Sequence, residues 1–82
     1  MKNDALLIRL CAEYLMLLGC LEEMGTGDDA RFTELLAEIV QLPARTEAGF
    51  RARLYIWRLI DDAEDAELLL QAITADFGRR RA

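Results

Sequence analysis

Histidine is absent from this chain of 82 residues, proline occurs once, cysteine twice, and aromatic residues make up only 7%. Without histidine there is no imidazole base, no Ser-His-Asp or Cys-His constellation, and no thiolate or imidazole zinc site built from Cys11 and Cys20 within one chain. On one helix those two cysteines are separated by roughly 13 Å of rise and turned to nearly opposite faces, so they do not bridge. Both read as reduced, mostly buried small hydrophobes. One proline and five glycines are too few for a disordered or low-complexity chain. Long uncharged runs are missing as well. Asp4, Arg9 and Glu13 interrupt the apolar stretch after Lys2, no small-residue cleavage site follows it, and no run approaches the roughly 18 apolar residues that cross a bilayer. A cytoplasmic protein with no membrane segment is the expectation.

What the chain does hold is 54% hydrophobic and 30% charged residues. Residues 1–82 form one domain, because a shorter piece buries too little apolar area to offset the entropy of ordering it. The net charge of −5 is segregated. Acids prevail up to Leu42; Arg45, Arg51, Arg53 and Arg58 then face the single acid Glu47; Asp61, Asp62, Glu64, Asp65, Glu67 and Asp76 follow without a base; and Arg79, Arg80 and Arg81 close the run. Such striping ordinarily reflects pairing between neighbouring helices.

Apolar periodicity predicts an all-α fold, a compact bundle of three or four short helices. Leu7, Leu10, Cys11, Tyr14, Leu17, Leu18 and Leu21 recur at spacings of three and four, giving a first helix from about Asp4 to Met24, with Asn3 or Asp4 as cap and Gly25 and Gly27 as terminators. Asp28 or Asp29 caps a second helix with the stripe Phe32, Leu35, Leu36, Ile39, Val40 and Leu42, which Pro43 stops. Thr46 caps a third helix reaching about Ile60. Its apolar residues Phe50, Ala52, Leu54, Ile56, Trp57, Leu59 and Ile60 wrap nearly all round, leaving a polar wedge at Glu47, Arg51 and Arg58, as in a helix buried on several sides. Gly49 and Ala52 leave room for a close neighbour, and the Arg53 stem packs while its head seeks solvent, an aromatic face or a carboxylate. Asp62 and Asp65 resemble a capping box for a fourth helix that buries Ala66, Leu69, Leu70, Ile73 and Phe77 and ends at Gly78. One bent helix in place of the third and fourth is the alternative.

Two stretches, Asp4-Ala5-Leu6-Leu7-Ile8-Arg9-Leu10-Cys11-Ala12-Glu13 and Pro43-Ala44-Arg45-Thr46-Glu47-Ala48-Gly49-Phe50-Arg51-Ala52-Arg53, resemble a group of small alphaproteobacterial and prophage-associated helical proteins. The second matches that group's P-A-x-T-x-x-G-x-x-A-K pattern with Arg53 in place of Lys, and Leu69 to Phe77 carries a weaker echo. The resemblance implies a helical fold and no catalytic role. Read from the residues alone, the pattern is a loop, an N-cap and a close-packing face.

No catalytic constellation, cofactor motif or metal loop emerges. Asp61, Asp62, Glu64, Asp65 and Glu67, with Glu34 and Glu38, invite a magnesium reading, but the tandem E-x-x-E and E-x-x-D pattern of helical pyrophosphohydrolases is missing and an acid-rich first turn accounts for the cluster. The second helix, the Pro43 turn and the third helix mimic a helix-turn-helix with Arg45, Arg51 and Arg58 toward phosphate. Against nucleic acid stand the acidic total and the apolar third helix. A non-enzymatic protein–protein interaction module is the leading expectation, a homodimer with Leu7, Tyr14, Leu18, Phe50 and Trp57 as interface residues. It follows from a first helix of about 30 Å beside neighbours of about 20 Å, whose stripe is left partly uncovered. The alternative is an acidic inhibitor of a nucleic-acid-binding protein, of the anti-CRISPR kind, presenting Glu22, Glu23, Asp28 and Asp29 or the 61–67 cluster where phosphates would sit.

Overall fold

The computed structural model describes residues 4–24 and 29–81, and at residues 21–24, 29, 80 and 81 it describes the helical backbone alone. Four helices follow one another: α1 (Ala5–Met24), α2 (Asp29–Gln41), α3 (Glu47–Leu59) and α4 (Ala63–Arg81). Among the described residues there is no strand. α1 packs on α2 and α3, and α4 packs on the same two helices, so the order around the bundle is α1, α2, α4, α3.

Local chemistry sets most of the boundaries. α2 ends at Gln41, one residue before the position that Pro43 bars from helical geometry. Thr46 is the N-cap of α3: its backbone is extended (φ −123°, ψ 163°) and its hydroxyl accepts the Gly49 N–H at 3.2 Å. α3 and α4 are separate helices. Ile60 turns extended at ψ 128° after its N–H closes on the Ile56 carbonyl. Asp62 then starts α4 by accepting the Asp65 N–H at 3.0 Å through its carboxylate and the Ala66 N–H at 2.9 Å through its carbonyl. Gly25, Gly27 and Asp28 lie outside the described residues, as does the side chain of Asp29.

The core is built from Leu7, Leu10, Cys11 and Tyr14 of α1, Leu35, Leu36 and Ile39 of α2, Ala44 of the turn, Ile56 of α3 and Leu69 of α4. Tyr14 and Phe32 meet edge to face, with ring centroids 5.1 Å apart. The bundle measures 43 × 26 × 18 Å, and its shortest dimension admits two layers of helices about 10 Å thick. No helix is surrounded, which corrects the expectation for α3. Its buried residues are Gly49, Arg53 and Ile56, while Tyr55, Trp57 and Leu59 lie at the surface.

α4 departs from its expected form in three ways. It runs through Gly78 to Arg81 and is nearly as long as α1, so the length mismatch expected between α1 and every other helix holds only for α2 and α3. Continuing the helix past Gly78 costs about 1 kcal/mol in propensity but places Arg79 three residues from Asp76, whose carboxylate it meets. Its buried stripe is Leu69, Ile73 and Asp76, so Leu70 and Phe77 point outward. Asp76, not Phe77, is the inward residue of the last turns because it has a charged partner inside.

The cysteines differ. Cys11 is buried, and burial pushes its thiol up to about 11, partly offset by the Arg53 charge. Cys20 is exposed, contrary to the expectation for it. Alkylation with iodoacetamide at pH 8 is therefore expected to modify Cys20 alone in the folded protein and both thiols in denaturant. Equal rates at the two cysteines in the native state would contradict this packing.

Candidate interaction surfaces and the buried polar network

Two buried polar clusters meet at the turn between α2 and α3. The first is Asp4. By position it caps α1, its carbonyl accepting the Ile8 N–H at 2.8 Å, but its carboxylate serves a different helix. Oδ2 accepts the Arg45 N–H at 2.9 Å, the Thr46 N–H at 2.7 Å and the Thr46 hydroxyl at 2.7 Å. A negative group is thereby placed at the positive end of α3. Burial raises the carboxyl's pKa, but the Thr46 hydroxyl, the two amides and the Arg45 charge outweigh it, holding Asp4 below its ordinary value near 3.8. Gly49 follows from this. A Cβ there would lie 2.6 Å from Cγ and 2.8 Å from Cβ of Asp4, so only glycine leaves room for the carboxylate.

The second cluster is Arg53 with Asp76, 1% and 0% exposed. Arg53 Nη1 lies 3.0 Å from Asp76 Oδ2 in an ion pair that lacks hydrogen-bond alignment at that oxygen. Nη2 donates to the Ile39 carbonyl at 2.8 Å and to the Leu42 carbonyl, closing the C-terminal end of α2, while Nε is buried without a partner. Asp76 Oδ1 accepts the Ala44 N–H at 3.1 Å and meets Arg79. Burial lowers the Arg53 pKa and Asp76 opposes that shift; a guanidinium stays charged at neutral pH in either case. Of the destinations foreseen for Arg53, the carboxylate is the one adopted.

These clusters absorb Pro43, Ala44, Thr46, Gly49, Ala52 and Arg53 into the packing, Ala52 lying half-buried against the core. Asp76 was missed from the sequence. Its signal was an acid in register with Leu69 and Ile73, facing a helix whose own buried stripe carries an arginine.

Leu7 and Tyr14 are buried within the single chain, and Leu18 and Phe50 are half-buried against the same core. Leu7 and Tyr14 have almost no surface left to give to a partner, so they are core residues and leave the expected interface. Trp57 keeps 36% of its surface exposed. The opposite side of α1 presents Ala5, Ile8, Ala12, Met16 and Cys20, all exposed, with Arg9 the one charge among them. Glu13 at its edge is engaged by Arg31 of α2 at 2.6 Å.

The acidic residues divide. Asp61, Asp62, Glu64 and Glu67 are exposed and Asp65 is half-buried; the side chains of Glu22, Glu23 and Asp29, and all of Asp28, lie outside the described residues. Asp61, Asp62 and Asp65 rim a hollow of about 390 Å³ whose floor is Tyr14, Leu18, Phe32, Leu59 and Ile60, with Thr33 at its side. Among the described residues no three of Cys, Asp and Glu converge to hold a metal ion, and no helix is long and apolar enough to cross a membrane. No family model matches the chain, and no curated protein or solved structure is significantly similar to it.

Three outcomes are expected. Gly49→Ala gains helix propensity but displaces a carboxylate held by three donors, so urea unfolding is expected to show a net loss of about 1–3 kcal/mol. The folded pKa of Asp4 lies below the unfolded one, so its stabilisation is complete above about pH 4 and is lost as the pH falls through the folded value. The stability gap between wild type and Asp4→Asn should accordingly close in acid, and a gap independent of pH would contradict the geometry. For the buried pair, Arg53→Met alone is expected to cost about 3–5 kcal/mol, and Arg53→Met with Asp76→Leu less than that. A double-mutant cycle showing simple additivity would mean that the pair is not coupled.

Proposed function

We propose that this chain is a non-enzymatic protein–protein contact module that pairs with a second copy of itself through the outer face of α1. The observation that carries this reading is the composition of that face. Ala5, Ile8, Ala12, Met16 and Cys20 fall within one stripe about 22 Å long, with Met16 71% and Ile8 38% exposed and Leu6 beside them. An exposed apolar stripe of this kind is the usual mark of an interface, and a two-fold pair is the commonest way to close one.

A second copy suits the face for two reasons. The chain carries −5, which disfavours association of two copies through most of its surface, but this stripe has almost no charge. In an antiparallel pairing centred between Ala12 and Met16, the two Arg9 side chains start about 15 Å apart along the axis, beyond the screening length at physiological salt. Ala12 and Gly19 let the backbones approach. The absorption of Asp4, Arg53 and Asp76 into packing supports a non-enzymatic role, because the buried charged groups are already committed to holding the turn.

Sedimentation velocity over a dilution series tests the proposal. Wild type is expected to pass from monomer to dimer as concentration rises, and Met16→Glu to remain a folded monomer, since Met16 supports nothing inside. Leu68→Glu, at an exposed leucine on α4, should dimerise like wild type. A wild type that stays monomeric at several hundred micromolar, or a Met16→Glu variant that dimerises normally, would overturn it.

A further inference from the structure

The hollow between α1, α2 and the α3–α4 junction has a composition that the fold does not require. Its floor is apolar, from Tyr14, Leu18, Phe32, Leu59 and Ile60, and its rim carries Asp61, Asp62 and Asp65 with no base lining it. Tyr14, although only 5% exposed, is among the residues that line it.

We propose that this hollow binds a basic amphipathic segment of another protein, an arginine or lysine head lying between Asp61, Asp62 and Asp65 while an adjacent aliphatic side chain rests on the Tyr14–Phe32 floor. The volume, about 390 Å³, falls at the lower end of the range of ligand sites and suits two side chains. The electrostatics agree with this assignment. Burial, Asp62 and Glu64 together raise the Asp65 pKa, and burial with Asp65 and Asp62 raises that of Tyr14. The rim therefore holds negative charge with no described base lining the hollow beside it, and a cationic head there gains from the carboxylates. A bare metal ion gains nothing from the floor, and an acidic or purely apolar segment gains nothing from the rim. Tyr14 and Leu18 lie about 160° from Met16 around α1, so pairing centred on Met16 leaves the hollow open.

The probe is an acetylated, amidated hexapeptide alternating leucine and arginine, titrated into the ¹⁵N-labelled protein and followed by NMR. Shifts are expected at Tyr14, Thr33 and residues 61–65, saturating with a single dissociation constant. Asp61→Asn with Asp65→Asn, which keeps the Asp62 cap and the side-chain shapes, should weaken binding about tenfold, with thermal melts showing that the variant remains folded. A leucine–glutamate peptide should leave the spectrum unchanged, and an arginine–glycine peptide should bind more weakly than the probe. Shifts centred elsewhere, equal affinity for the acidic peptide, equal response to calcium alone, or a double Asn variant that binds as wild type would each overturn the assignment.

Discussion

The ion pair between Arg53 and Asp76 is the contact on which the rest of the bundle depends. It ties together three helices and a turn: the guanidinium closes the carbonyl end of α2 from its position on α3, and the carboxylate reaches from α4 to the amide of Ala44. Few single side chains in a chain this short do as much. Two charges taken out of water are not cheap, and the unpartnered Nε adds to the cost. What such a pair supplies is a unique arrangement. Apolar stripes alone can slide by a turn, whereas a guanidinium that must meet two carbonyls and a carboxylate fixes the register of α2, α3 and α4 together.

Asp4 does the corresponding work for α1. Its carboxylate docks the start of the first helix on the start of the third, across a sequence separation of 41 and 42 residues. The two polar clusters sit on either side of the same turn, with Ala44 bonded to one and Arg45 and Thr46 to the other. A short loop that would otherwise present free amides to the core is thereby satisfied from both ends of the chain. With the turn fixed, the outer face of α1 and the hollow beside the α3–α4 junction take up defined positions.

Much of the architecture was legible in the sequence because it follows from local rules. Pro43 and Thr46 mark one break, Asp62 with Asp65 another, and the stripes of α1 and α2 name their own core residues. The misreadings share one cause. Periodicity records which residues are apolar and not which neighbours exist, so α3 looked buried all round, Leu70 and Phe77 looked internal, and Leu7 and Tyr14 looked available to a partner. The bundle is two layers thick, and every helix therefore keeps a wet side whatever its composition. The carboxylate of Asp4 reads as a cap for its own helix, and only the folded chain brings it to another. Nothing in the spacing of Tyr14, Phe32 and Asp61 announces that they enclose a common space.

The collision that reserves position 49 for glycine makes residues 4 and 49 a single unit of inheritance. Glycine is required there as long as α1 starts against it with a side chain at position 4, and the acid keeps its three donors only as long as glycine leaves room for it. Neither can drift alone. Even alanine at position 4 keeps the Cβ that would lie 2.8 Å from one at position 49, so a helix-favouring residue is accommodated at 49 only when the start of α1 also shifts, and then Thr46 must cap α3 unaided. Two positions with most of the chain's first half between them thus change together or not at all, a correlation that no comparison of neighbouring residues would reveal.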